Sequence, residues 1–264
     1  MRGMRPCAWI VGVILPTVGA AGCGEVVRAA ADGEQDAAAE EPVDSGAGSM
    51  SDSGAESLDG GEQPSLEMID DLEDGDRLIL QNAGRNGYWY TVNDGSGTQD
   101  PPPTMPFAPT MGGAPMTDYS ARTTGFDFSP EMWGAKLGFF LNKADDDANA
   151  IEYDVSGYVG VRFWARGNVK TIRVALVTMD TLGRPIEGEC DPELGACDYY
   201  HGREVPLVDE WQEQTVFFSE MRQRPGGQEI DLDLTRAVKI EFEIELVSTF
   251  DVSMDEVSFV RPDS

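Results

Sequence analysis

Several residues in this 264-residue chain have types and spacings that could do chemistry. Cys190 and Cys197 close the short segment Cys190-Asp191-Pro192-Glu193-Leu194-Gly195-Ala196-Cys197. Such a pair is a disulfide or half of a metal site. A zinc site needs two further ligands, and His201 is the only histidine, so the disulfide is the better reading. Tyr199, Tyr200 and His201 follow the pair directly, on a loop that a disulfide would stiffen. Arg162 and Trp164 alternate with Val161 and Phe163, and Glu241 and Glu243 alternate with Ile240, Phe242 and Ile244. Successive strand side chains point to opposite faces, so if the apolar members are inward, these four polar and aromatic residues face out. Flat rings with a few polar groups are what a carbohydrate site uses. On this reading Arg162, Trp164, Tyr199, Tyr200, His201, Glu241 and Glu243 line one concave face. The plainer alternative packs Trp164 beneath a long loop at 94–118 and leaves the glutamates as a solvated face. Tyr88, Trp89, Tyr90 and Trp211 read as core residues.

Catalytic devices are scarce. A Ser-His-Asp or Cys-His arrangement would have to use His201, and no G-x-S-x-G turn accompanies a serine. There is no phosphate loop and no dinucleotide fingerprint. Paired carboxylates for glycoside hydrolysis are not excluded, because acidic residues occur throughout. Asp145, Asp147 and Asn149 begin like a calcium loop, but Ala150 and Ser156 stand where Gly and Glu are needed, so this is a charged loop.

The elements that must position these residues are strands. Residues 238–246 alternate without a break, which is the period-two signature of a strand with one buried and one wet face. A short connection leads to a closing run over Phe250–Val260. Residues 158–165 and 171–179 predict a strand pair across Arg166-Gly167-Asn168. Weaker strands are expected over 66–72, 78–81, 88–92, 123–128, 136–141, 203–207 and 213–218, and one helical turn over 219–224. The Gly- and Pro-rich stretch 94–115 predicts a long surface loop, and 182–200 a second loop holding the cysteine pair. Many short strands with almost no helix-period stretch predict an all-β, two-sheet antiparallel sandwich over 66–264.

The chain carries 48 acidic and 19 basic residues, a net charge of −29. That argues against nucleic acid, whose phosphates need Lys and Arg. Residues 1–22 read as an export signal: Arg2 and Arg5, then an apolar run from Cys7 to Ala20. The sequence Ala20-Ala21-Gly22-Cys23 resembles the lipobox of bacterial lipoproteins, with Ala20 where Leu is usual. The resemblance implies lipidation of Cys23, and Gly24 after it implies the outer membrane, so the only membrane contact would be the lipid anchor. Residues 23–65, rich in Ala, Gly, Ser, Asp and Glu, read as a disordered acidic tether.

Further motifs carry a second likeness. Met68-Ile69-Asp70-Asp71-Leu72-Glu73-Asp74-Gly75-Asp76 opens the domain, and Gly84-Arg85-Asn86-Gly87-Tyr88-Trp89-Tyr90 follows. Gly160-Val161-Arg162-Phe163-Trp164-Ala165-Arg166-Gly167 sits mid-chain, Trp211-Gln212-Glu213-Gln214-Thr215-Val216 comes later, and Phe250-Asp251-Val252-Ser253-Met254-Asp255-Glu256-Val257 closes it. In order and spacing these resemble galactose-binding-like jelly rolls, most of all carbohydrate-binding modules of the family-11 type. The resemblance implies a jelly roll with a concave sugar-binding face, a polysaccharide or glycan as partner, and structural calcium. By motif the calcium ligands are Glu73 and Asp255, with Asp76 or Asp71 in addition. The expected function is a non-catalytic carbohydrate-binding lipoprotein. A structural or protein-interaction lipoprotein on the same fold is the alternative, and a carboxylate-based glycoside hydrolase ranks third.

Overall fold

The computed structural model describes residues 64–143, 149, 151–183 and 188–262. Every described residue belongs to one unit of the chain, Ser57–Ser264. The expected export signal, Cys23, nearly all of the expected tether, and Asp145 and Asp147 lie outside the described residues.

The strands are β1 (Leu66–Asp70), β2 (Trp89–Asn93), β3 (Thr98–Asp100), β4 (Thr110–Met111), β5 (Tyr119–Phe126), β6 (Ala135–Phe140) and β7 (Gly160–Gly167). Then come β8 (Thr171–Thr178), β9 (His201–Pro206), β10 (Gln212–Phe217), β11 (Arg222–Gln223), β12 (Ala237–Ile244) and β13 (Phe250–Val260). Two 3-10 turns, Phe218–Glu220 and Leu234–Arg236, are the only helical pieces among the described residues. One sheet has six strands in the order β11-β9-β8-β12-β6-β2. The other has seven, β10-β7-β13-β5-β3, with β1 beside β13 and β4 beside β5. The product is an all-β antiparallel sandwich of the jelly-roll kind.

The alternating runs become strands as expected, but the expected pairing of 158–165 with 171–179 does not form. β7 and β8 lie in opposite sheets, and so do β12 and β13. Their short connections cross the sandwich rather than closing hairpins. Alternation reports only that one face of a strand is apolar; both sheets present an apolar inner face, so it cannot say which sheet a strand joins. The stretch at 94–115 is also more than a loop, since β3 and β4 within it extend the seven-stranded sheet along β5.

Aromatic rings fill the space between the sheets. Phe163 of β7 meets Phe242 of β12 edge-on at 5.1 Å between ring centroids. Trp89 stacks on Phe242 at 6.3 Å and tilts against Phe139 at 4.7 Å. β13 is the spine of the seven-stranded sheet: β7 runs along one side, β5 and then β1 along the other.

A charged, aromatic groove on the six-stranded sheet

The outer face of the six-stranded sheet is built as rows across the strands. One row runs Tyr90 (β2), Gly138 (β6), Glu241 (β12), Ala175 (β8), Gly202 (β9) and Arg222 (β11). The next runs Val92, Lys136, Glu243, Arg173 and Glu204. The small residues matter. A Cβ on Gly138 would stand 2.6 Å from the Ile240 carbonyl oxygen and 3.2 Å from Cγ of Glu241. With none there, the Tyr90 hydroxyl reaches over Gly138 and donates to Glu241 Oε1 at 2.6 Å.

Opposite charges alternate through these rows. Lys136 Nζ donates to Glu241 Oε2 at 2.7 Å and lies 2.9 Å from Glu243 Oε1. Lys239 Nζ lies 2.6 Å from Glu241 Oε1, and Arg224 Nη2 donates to Glu243 Oε2 at 2.9 Å. Lys136 also sits 4.6 Å from the centre of the Tyr200 ring and 5.5 Å from that of Trp133. Burial pushes the Glu241 carboxyl up, but Lys239 and Lys136 outweigh it and hold the group down at about 2. Burial pulls Lys136 down, yet Glu241 and Glu243 carry it above the usual lysine range. Burial, with Glu241 beside it, raises the Tyr90 phenol. The network is thus fixed in its charged form.

Above it opens a groove of about 410 Å³, with Trp133, Tyr199, Tyr200, Arg224 and Glu245 among its walls and Lys136, Lys239, Glu241 and Glu243 along its floor. A second hollow of about 460 Å³ adjoins it, sharing Val92 and Lys239, and is lined by Tyr88, Tyr90, Phe140, Met105 and Phe107. The Cys190–Cys197 disulfide forms as expected, and Cys197 itself borders the groove next to Tyr199.

The expected carbohydrate face is therefore gathered only in part. Tyr199, Tyr200, Glu241 and Glu243 meet in the groove. The glutamates are not a wet face: Glu241 is 1% exposed and Glu243 4%, because salt bridges and the Tyr200 loop close over them. Arg162 and Trp164 do not join them. β7 belongs to the other sheet, where Arg162 pairs with Glu213 and Trp164 stands across from Asp255. His201 sits in register with Leu176 of the main core and is buried, which lowers its pKa. Its ring Nδ1 has no hydrogen-bond partner. Strand alternation sends it away from the side that Tyr200 occupies. The sequence reading missed Tyr88, Tyr90, Trp133, Lys136, Lys239 and Arg224. Tyr88 and Tyr90 flank Trp89 at period two, so the signal was there: with Trp89 in the core, its neighbours must face out.

The four carboxylates expected to hold calcium also divide. Asp255 Oδ2 accepts from Ala114 N and the Thr117 hydroxyl, both at 2.7 Å, and Glu73 Oε1 accepts from Asp118 N and Tyr119 N, both at 2.9 Å. Glu73 and Asp255 thus converge on one loop. Asp71 and Asp76 instead cap local turns, accepting from Glu73 N and Leu78 N. Asp255 is fully buried without an ion pair among the described residues; burial raises its pKa, and Glu73 adds to the rise. Two carboxylates facing one loop suit a cation in part, but no group of three or more His, Cys, Asp or Glu gathers at metal-holding distance among the described residues.

No protein-family model matches the chain, and no curated protein matches it. Solved structures do. The chain is similar to the family 11 carbohydrate-binding module of the cellulosomal cellulase Lic26A-Cel5E of Clostridium thermocellum, at 14% identity and TM-score 0.45, over 76% of this chain and 96% of that one. A second structure of a family 11 module from Clostridium thermocellum, in complex with a β-1,3-1,4-mixed-linked tetrasaccharide, matches at 14% identity and TM-score 0.42, over 71% and 96%. The family 30 module of the cellulase Cel9D-Cel44B of the same organism matches at 11% identity and TM-score 0.42, over 76% and 99%. These include the family named from the sequence. The sandwich assignment stands on the two sheets themselves.

Proposed function

We propose that this chain is a non-catalytic carbohydrate-binding lipoprotein, anchored through Cys23 to the cell envelope, and that the groove on the six-stranded sheet takes a neutral polysaccharide. The observation that carries the reading is the groove's construction: aromatic walls over a floor of fixed, mutually neutralising charges. Sugar C–H faces pack on rings, while hydroxyls can donate to the part-exposed Glu245 carboxylate and accept from the part-exposed Arg224 guanidinium, both held in place by the buried floor beneath. Such a floor is preorganised, because its side chains are already held by one another. The cations Lys136, Lys239 and Arg224 offset three of the four carboxylates in the lining, Asp198, Glu241, Glu243 and Glu245, so the groove favours a neutral chain over an anionic one. The adjoining hollow offers room for the glycan to continue along the sheet.

The same floor speaks against hydrolysis. A glycosidase needs one carboxyl raised into the acid range for its leaving group. Glu241 is held the other way, at about 2. The carboxyls that are raised, Asp70 (to about 7), Asp255 and Glu256, border neither hollow. We extend the proposal to one structural Ca²⁺ between Glu73 and Asp255, supported by their shared loop.

Polysaccharide pull-down with the full chain tests the main reading. Retention on at least one neutral glucan, xylan or mannan, lost on Tyr199→Ala, is expected. Retention on none of them, or retention indifferent to Tyr199, would sink it.

A further inference from the structure

The opposite sheet carries a third hollow with different chemistry. It holds about 210 Å³ and is lined by Arg122, Arg166, Asn168, Asp209, Asp251 and Ser253. Register explains why these meet. Ser253 of β13 stands directly between Arg166 of β7 and Arg122 of β5. Arg122 is spent on Asp251, donating from Nε to Oδ1 at 2.8 Å and from Nη2 to Oδ2 at 2.6 Å. Asn168 turns its carbonyl oxygen to the Asp251 amide at 2.8 Å, which leaves its NH₂ to other partners. Arg166 makes no ion pair among the described residues. Its guanidinium carbon sits 4.9 Å from the centre of the Trp211 ring, a cation–π contact that holds the fork in place, and none of its nitrogens makes a hydrogen bond among the described residues.

We propose that this hollow binds a carboxylate-bearing pyranose, that is, a uronate unit. A planar fork with free edge donors matches a carboxylate bidentately. The Ser253 hydroxyl and Asn168 amide offer donors to ring oxygens, and Asp209 and Asp251 accept from ring hydroxyls. That mixture discriminates: a bare sulfate has no hydrogen to give the two aspartates and would be repelled by them, whereas a neutral hexose would leave the Arg166 fork without an acceptor. The volume suits one sugar unit rather than a chain. The net charge of −29 opposes adventitious anion binding elsewhere on the protein.

The test is titration of the full chain with D-glucuronate, followed by calorimetry and by the Trp211 indole N–H resonance. D-glucose and sodium sulfate are run as separate arms. Saturable glucuronate binding is expected, with the Trp211 signal moving. Arg166→Met keeps an unbranched stem against Trp211 and removes the fork, and should weaken binding at least tenfold. Ser253→Ala should weaken it several-fold and serves if Arg166→Met does not fold. Tyr199→Ala, on the other sheet, should leave glucuronate binding unchanged, so this site and the groove fail or stand separately. No saturation by glucuronate, an equal response to sulfate or glucose, or full affinity in both hollow variants would overturn the proposal.

Discussion

Asp70 should make this domain less stable as pH rises through the acid range, and Asp70→Asn should abolish that trend. The carboxyl is fully buried, with Trp89 Nε1 donating to Oδ2 at 2.6 Å and Leu72 N donating to Oδ1 at 3.3 Å. Burial raises its pKa from 3.8 to about 7, more than those two hydrogen bonds lower it. Between these values the unfolded chain has lost the proton and the folded chain keeps it. The folded state then binds more protons, so stability falls with rising pH and levels off above about 7. At about 1.4 kcal/mol per pH unit, the loss over roughly three units is about 4 kcal/mol. Asn is neutral at every pH but offers one acceptor to two donors, which costs about 1–3 kcal/mol. Asp70→Asn should therefore be less stable than wild type near pH 4 and more stable at pH 8. Urea unfolding followed by tryptophan fluorescence at several pH values measures both. Other carboxyls titrate in the same range, so the difference between the two proteins is the quantity to read. A difference that does not change between pH 4 and 8 would refute the assignment of a raised carboxyl.

Glu241 works in the opposite sense. Its carboxyl is held at about 2 against an ordinary 4.5, so its stabilisation is complete above about 4.5 and lost as pH falls toward 2; Glu241→Gln should flatten acid unfolding in that window. Lys136→Met strips a cation from two buried glutamates and should destabilise by about 3 kcal/mol in thermal or urea melts, since a buried charge is left short of its partner. Gly138→Ala should cost about 1–3 kcal/mol, because the new Cβ meets the Ile240 carbonyl at 2.6 Å; an unchanged melt would mean the rows are not packed as described. Removal of calcium by a chelator should lower the melting temperature, as expected for an ion bound to the native state alone. Identical melts, with no metal in the purified protein, would leave Glu73 and Asp255 as hydrogen-bond acceptors only.

The strands were legible because a half-buried strand writes its geometry into every second residue. Phe250–Val260 reads as a closing strand and is one, and it is central in its sheet. What alternation does not encode is which sheet a strand enters. That single ambiguity separates Arg162 and Trp164 from Glu241 and Glu243: all four face outward, but from opposite sides of the sandwich. His201 fails for a related reason, being one residue from Tyr200 and so on the reverse face. The cysteine pair was legible because its meaning is local.

The charges on β12 carry the remaining lesson. Lys239, Glu241 and Glu243 alternate with apolar residues as a solvated face would, yet all eight residues of the strand are buried. Burial of such a row is sustainable only if each charge finds its opposite; Lys239 pairs with Glu241 within the strand, and the remaining partners come from β6, from Arg173 and from Arg224, outside it. No pattern within residues 237–244 announces those outside partners. A sheet that merely needed an outer face could leave these side chains in water at almost no cost. One that gathers Lys136, Arg173, Arg224 and Lys239 around Glu241, Glu243 and Glu245 has traded solvation for fixed positions. Fixed positions are useful to a surface that must present hydroxyl partners in one arrangement. This is why the groove, rather than the aromatic content of the chain, carries the functional reading.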